Sequence, residues 1–392
     1  MLAIILAAGN GNPTQFLSSS HPAQLLPVAD RPVIAHTADA AIEAGADELV
    51  FVVNGHTDLH RWFGDEYAGV PVTYEIQAEP TGTAEAVRMA HYLIDGPFAV
   101  LNGDNLYDAE SLRRLFAAGP AVGTHSVMNP SQYGVITIEE DTVTCVVEKP
   151  RTPTTNRANT GAYIFPTKAR DWLSVPRSDR GKHELTDVLR RVISAFDVTP
   201  IDVDRWMDVT YPWRYLEANE WKLSSLTQQL DGDVHSSAHV RGRVVVEPEA
   251  TIDAGAVIEG PTLVRNGASI GPNAYVRGAT LVDEGVSLGS GVEVSNSVFM
   301  ADAHAGHRCF VGDSILGPAV CLGAGTTVAN TRHDGDIVHL TRNGRDISTA
   351  RTSFGAVIGE GTRTGVNTTT DAGVSLSPNS RTMPGEVVLR SR

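Results

Sequence analysis

The chain has 392 residues, a formal net charge of −15 and 42% apolar residues. That length exceeds one ordinary hydrophobic core and predicts two domains, and the acidic balance excludes nucleic acid and an anionic membrane surface as expected partners. No apolar run approaches the roughly 20 residues that span a bilayer, the amino terminus enters a strand with no basic leader, and the scattered Cys145, Cys309 and Cys321 predict a reducing cytoplasm.

The first apolar run, Ile4 to Ala8, breaks at Gly9-Asn10-Gly11. Glycines at the carboxyl end of a first strand let backbone N–H groups approach a phosphate. A polar run from Asn12 to His21 follows, then Pro22-Ala23-Gln24-Leu25-Leu26-Pro27. The patterning next predicts an amphipathic helix over 33–44 and strands over 49–53 and 72–76. A helix near 83–93 and a strand over 98–101 complete the run. This alternation predicts an α/β doubly wound, Rossmann-like sheet, mostly parallel, as a first domain over 1–228.

The polar residues fall at strand ends, where such sheets bind ligands. Gln77 to Ala84 carries Gly82 and Thr83 where a loop feeds a helix. Asn102-Gly103-Asp104 closes the next strand, and Asp208 lies in Trp206-Met207-Asp208-Val209-Thr210. Hard carboxylate oxygens such as those of Asp104 and Asp208 suit Mg²⁺, which binds one or two carboxylates plus substrate phosphates. Glu148-Lys149-Pro150 and Asn159-Thr160-Gly161 add polar groups, and Glu184-Leu185-Thr186-Asp187 reads as a helix start. Only Lys149, Lys168, Lys182 and Lys222 are lysine, which suits a halophilic source or a GC-rich coding sequence.

Together these motifs resemble the sugar-1-phosphate nucleotidylyltransferases. Leu6 to Gly11, with Ala8 and Gly9, and Pro22 to Pro27 fit that family's signature loop at the correct separation. The loop's arginine falls on Pro13 and its lysine on Ala23, so the frame is present without its cations. The resemblance implies that Gln77, Gly82 and Thr83 read a uridine or thymidine base. It implies that Gly103, Glu148 and Asn159 hold the sugar, and that Lys149 meets its phosphate. Asp104 and Asp208 would then hold Mg²⁺. A nucleoside triphosphate and a sugar 1-phosphate would be the substrates, with transfer slowed by the missing cations.

After a polar stretch at 226–238, expected to be a linker, a second domain is predicted over 239–392. Val234, Val240, Val246, Ile252, Ile258, Val264, Ile270, Val276, Val282, Leu288 and Val294 recur every six residues. Neither helix nor ordinary strand has that period; a parallel β-helix of hexapeptide repeats does, with one aliphatic side chain per face turned inward. The rhythm resumes at Phe310, Leu316, Leu322 and Val328, and breaks between Asn330 and Phe354, as an ejected loop would.

The segment Ala305 to Ser314 with Leu322 to Thr326 resembles the acetyltransferase domain of GlmU-type bifunctional enzymes, so the coil is expected to be left-handed. The resemblance implies His307 as general base, Arg277 and Asn330 as substrate contacts, acetyl-CoA as second substrate and a homotrimer or larger assembly. The family's tyrosine falls on Phe310, an asparagine on Cys321 and a lysine on Ser295. Two further readings follow from these losses. One is a catalytically reduced paralogue that binds the same ligands and regulates or scaffolds an active partner chain. The other is an acetyltransferase alone.

Overall fold

The computed structural model describes residues 1–9, 17, 22–55, 59–342 and 345–392. Gly11 and Pro13 lie outside the described residues, as does the side chain of Ala23. The chain divides into two compact units. The first is built on Pro32–Asp208 with the amino-terminal strand, the second on Val209–Arg392 with Leu26–Arg31.

In the first unit, strand Leu2–Ala7 lies between Glu48–Val53 and Phe98–Asn102 and runs parallel to both. Val70–Ile76 adds a further parallel neighbour. Covered on both faces, these strands read as continuous apolar runs such as LAIILA and ELVFVV. Beyond Phe98–Asn102 the sheet turns antiparallel through Arg157–Phe165, Gly134–Glu139 and Thr142–Glu148. The expected parallel sheet is therefore the first half of a mixed one. Helix Val33–Ala44 has the predicted bounds and stops at Gly45, whose φ of 110° lets its N–H reach back to the Ala41 and Ile42 carbonyls. The helix expected near 83–93 ends sooner: Thr83–Met89 is α-helical and His91–Leu93 tightens to a 3₁₀ turn.

In the second unit, helix Pro212–Leu223 precedes a coil of three parallel sheets with eight, six and eight strands. Val246, Ile252, Ile258, Val264, Ile270, Val276, Val282, Leu288 and Val294 all lie in one buried core, with Val234 and Val240 packed at its end. Two expectations are corrected. Strands Gln229–Leu230 and Asp233–Val234 already pair with the next coil, so 226–238 contains the first coil and is not simply a linker. Past Val294 the coil shortens, and Val311, not Phe310, is the inward residue of its strand. Buried hydroxyls close the tightened corner: Ser297 Oγ accepts from the Ser314 N–H and Ser314 Oγ from the Ala356 N–H.

The rhythm break is an excursion, as expected. Ile315 pairs directly with Val357, and the intervening chain forms a hairpin of His339–Arg342 and Arg345–Ser348. Arg351, at the excursion's return, meets Glu220 at 2.7 Å, Glu217 at 3.8 Å and Asp313 at 3.8 Å. It thereby ties helix Pro212–Leu223 to the coil. Among the described residues no helix is long and apolar enough to cross a membrane.

Candidate functional site

Of the residues singled out in the first unit, Leu6, Gln77, Gly103, Glu148 and Asp208 lie at or just past the carboxyl ends of strands, whereas Asn159 lies near the amino end of Arg157–Phe165. Leu6 and Asn102 are register partners, and the Gly103 N–H donates to the Leu6 carbonyl at 2.9 Å. A Cβ on Gly103 would lie 2.8 Å from that oxygen, so only glycine lets the two strand ends close. Gly9 is held from the other side: Gln24 Nε2 donates to its carbonyl at 3.2 Å. Asp104 follows Gly103, and the short strand Trp206–Asp208 runs antiparallel to Asn105–Tyr107 with Asp208 opposite Asn105. Asp208 is thus the register partner of the residue that follows Asp104. Burial pushes the Asp104 carboxyl above the usual range, against the pull of its own backbone N–H and of the Lys149 charge.

Lys149 stands at the end of strand Thr142–Glu148 with a φ of 43°, a left-handed conformation unusual for a side-chain-bearing residue. Its N–H is fixed by the Tyr133 carbonyl at 3.0 Å. Glu148 pairs in register with Gly134, where a Cβ would come within 3.2 Å of Glu148 Oε2 and 3.3 Å of Asn159 Cβ. Asn159 Nδ2 donates to Tyr163 Oη at 2.7 Å, and Asn159 Oδ1 accepts from the Gly161 N–H. Burial, then the Glu184 charge, raises the Glu148 carboxyl.

The loop from Gln77 to Thr83 is held by hydrogen bonds of its own and to the neighbouring chain. The Gln77 N–H continues the sheet to the Val53 carbonyl, while Gln77 Nε2 donates to the Gly82 carbonyl at 2.9 Å. Gly82 has φ 148°, and a Cβ there would lie 2.2 Å from the His183 carbonyl oxygen. Thr83 Oγ1 accepts from the Leu185 N–H at 2.9 Å. Lys182, His183 and Leu185 therefore lie directly on this loop.

Sequence reasoning missed two members of this arrangement. Arg180 Nη1 bridges Glu148 Oε1 at 2.9 Å and Glu184 Oε1 at 3.2 Å, which makes Glu184 more than a helix start. The available signal was a cation in Ser178-Asp179-Arg180-Gly181 just before that helix. Trp206 packs 5.3 Å from the Tyr133 ring and 5.8 Å from His125, on the same strand face as Asp208.

In the second unit the three residues singled out do not converge within one chain. His307 lies in the corner that precedes strand Phe310–Gly312. Arg277 ends the equivalent strand Tyr275–Arg277, and Asn330 follows Thr327–Val328 at that far corner. Arg277 pairs with Glu293 at 3.2 Å and lies over the Tyr275 ring. Asn330 Nδ2 donates to Asp313 Oδ2 at 2.6 Å, beside the Arg351 cluster. His307 is exposed, and its Nδ1 accepts the Ser290 N–H at 3.2 Å.

Comparison with known proteins agrees with this architecture. Residues 2–225 match the nucleotidyl transferase family model, and residues 258–379 match the GMPPB C-terminal domain. The chain is 31% identical, over its whole length and 98% of the relative, to a bifunctional sugar-1-phosphate nucleotidylyltransferase/acetyltransferase of Sulfurisphaera tokodaii. It is 32% identical to the bifunctional protein GlmU of Methanococcus vannielii, over 97% of this chain and 93% of that one. A solved structure described as a putative glucose-1-phosphate thymidylyltransferase from Bacillus anthracis shares the fold of the first unit. It has a TM-score of 0.51 at 24% identity, covering 56% of this chain and 95% of that one. Sheet, coil and full-length similarity agree: the chain belongs to the nucleotidyl transferase family, in its archaeal bifunctional sugar-1-phosphate nucleotidylyltransferase/acetyltransferase branch.

Proposed function

We propose that the first unit joins a nucleoside triphosphate to a sugar 1-phosphate, giving a nucleoside diphosphate sugar and pyrophosphate. A phosphate oxygen of the sugar 1-phosphate bonds to the α-phosphorus as the bond to the β-phosphate bridging oxygen breaks. The observation that supports this reading is local: Gly103, next to Asp104, donates to the Leu6 carbonyl, and Asp208 is in register with Asn105.

Asp104 and Asp208 would hold Mg²⁺, which neutralises charge on the phosphates when bound. Among the described residues no cluster of three or more His, Cys, Asp or Glu could hold a metal alone. Substrate phosphate and water would complete the shell. Lys149 positions the sugar phosphate, while Glu148 and Asn159 take sugar hydroxyls. Gln77 has its amide nitrogen occupied by Gly82, which leaves its oxygen to accept N3–H of uracil or thymine. This chemistry belongs in the cytoplasm, where nucleoside triphosphates are made. Pro13 and Ala23 offer no side-chain donor to the phosphates, so turnover is slow.

The deciding assay is pyrophosphate release from UTP or dTTP with Mg²⁺ and a panel of sugar 1-phosphates, at low and high salt, with Asp104→Asn as control. Release that Asp104→Asn abolishes supports the reading. Nucleotide binding without release supports the reduced paralogue, which the loss of both loop cations favours; co-purification with an active relative would then follow. Acetyl transfer from acetyl-CoA is the proposed second activity. Because His307 and Asn330 stand at opposite ends of a coil face, that activity fits a homotrimer in which neighbouring chains complete a site. Light scattering tests the assembly.

A further inference from the structure

We propose that Arg180 is a positioning residue of the sugar subsite: its guanidinium holds Glu148 and Glu184 side by side, so that their remaining oxygens accept hydrogen bonds from the hydroxyls of a neutral sugar. This rests on the reading of the first unit as a sugar-1-phosphate nucleotidylyltransferase, and it concerns how that site presents its acceptors.

One nitrogen makes both contacts. Arg180 Nη1 lies 2.9 Å from Glu148 Oε1 and 3.2 Å from Glu184 Oε1, and its two hydrogens serve one carboxylate each. The Ser178 hydroxyl donates to the same Glu184 oxygen at 3.3 Å. Both Oε1 atoms are thus taken, and among the described residues no hydrogen bond reaches Oε2 of either acid. A Cβ at Gly134 would come within 3.2 Å of Glu148 Oε2, so glycine there keeps the approach to that oxygen clear. An ionised carboxylate can only accept, which suits a ligand that brings hydroxyl hydrogens.

The arginine starts from a closed turn. The Ser178 N–H donates to the Lys182 carbonyl and the Gly181 N–H to the Ser178 carbonyl, both at 2.8 Å, with Gly181 at φ 73°. The turn is clasped in turn to the loop that begins at Gln77. The His183 N–H donates to the Thr81 carbonyl and the Ala84 N–H to the His183 carbonyl, both at 2.9 Å. The acids therefore meet a guanidinium whose stem is already placed.

Charge gives the contact its consequence. Burial, then the Glu184 charge, pushes the Glu148 carboxyl up, while Lys149 and Arg180 pull it down. Tyr163, on strand Arg157–Phe165, also faces both acids, but burial and then their charges hold its hydroxyl well above the ordinary range, so it stays neutral. In the proposed reaction Lys149 is engaged by the incoming phosphate. Arg180 is then the cation left to balance two acids, and like charges sharing a site cannot both persist without one.

The test uses the full chain with ¹³C-labelled glutamate, the Glu148 carboxyl being assigned by its loss in Glu148→Gln. Its titration midpoint should move to higher pH in Arg180→Gln. It should return towards the wild-type position when Glu184→Gln is added, because the second negative charge is then gone as well. Pyrophosphate release is followed in parallel with UTP or dTTP and glucose 1-phosphate or N-acetylglucosamine 1-phosphate. On the acid side of the profile Arg180→Gln should raise the KM for the sugar phosphate by about tenfold or more, the scale of one hydrogen bond to a charged group. The effect should shrink as pH rises, and Glu184→Gln in the same chain should recover most of the loss, since the glutamine oxygen still accepts. If release is absent but UDP-glucose or dTDP-glucose binds, the same pattern is read from calorimetric Kd values.

An arginine that only braces its own turn gives a different result: a loss equal at every pH, with no recovery from Glu184→Gln. That result overturns the proposal, as does a Glu148 titration that Arg180→Gln leaves unmoved. A chain that neither releases pyrophosphate nor binds either nucleotide sugar, while the Glu148 titration moves as stated, instead removes the nucleotidylyltransferase reading and leaves the charge balance at Arg180 standing.

Discussion

Asp104 and Glu148 show how the site trades stability for chemistry. Both carboxyls are raised by burial. A raised carboxyl contributes stability that is complete below its unfolded pKa and is lost as pH climbs through its folded one. Asp104→Asn should therefore raise the melting temperature at pH 7 and leave it unchanged near about pH 3, where the carboxyl is protonated in either state. The same variant should lower pyrophosphate release by about 10²–10³-fold, the usual cost of one lost transition-state contact. If transfer needs Glu148 ionised, its acid limb lies above the ordinary carboxylate range, and Glu148→Gln should flatten that limb in a pH–rate profile. Pro13→Arg combined with Ala23→Lys should raise transfer by about tenfold or more, measured as pyrophosphate release. Several residues of the proposed site stand out in the sequence because an apolar run stops there: Gly9 after Leu2–Ala7, Gln77 after Val70–Ile76 and Gly103 after Phe98–Asn102. Arg180 does not, because a loop arginine declares its partner only when the loop's path is known.

At the level of elements, the period of six from Val234 to Val294 survives because each inward position there is Val, Ile or Leu. Further along, Thr370 departs from that pattern: it is buried in the column between Val328 and Val388, and its hydroxyl has no hydrogen-bond partner. Thr370→Val should stabilise the coil by about 1 kcal/mol, seen as a higher denaturation midpoint. The shortened turn after Val294 was hidden because Phe310 and Val311 are both apolar, so either could have been the inward residue. Gly82→Ala should do the opposite of Thr370→Val. Its Cβ would meet the His183 backbone, displacing the base loop and raising the KM for nucleotide more than it lowers melting temperature. The second domain was expected to start too late, at 239, for a related reason: composition marks a polar stretch, while the pairing of Gln229–Leu230 with Val244–Val246 is a long-range fact.

Over the whole molecule, a net charge of −15 works against compactness, and counter-ions relieve it. Denaturation midpoints should rise between about 0.1 M and 1 M salt, where the screening length falls from roughly 10 Å to 3 Å. The family assignment to residues 2–225 is a statement about ancestry, and helix Pro212–Leu223 shows that ancestry and cohesion draw different borders. Its Glu220 is bonded to Arg351 and Asn296, and its Trp213 ring stands 6.4 Å from Phe354. A gene cut after codon 225 would keep the helix and its contacts to Pro27 and Ala29 but discard the coil side, leaving Trp213 without Phe354 and Glu220 without Arg351. Fragment libraries should accordingly recover few soluble clones ending there. Selection, too, would find the two halves hard to shuffle independently: recombination at that border inherits a helix whose companions stayed behind in the other parent.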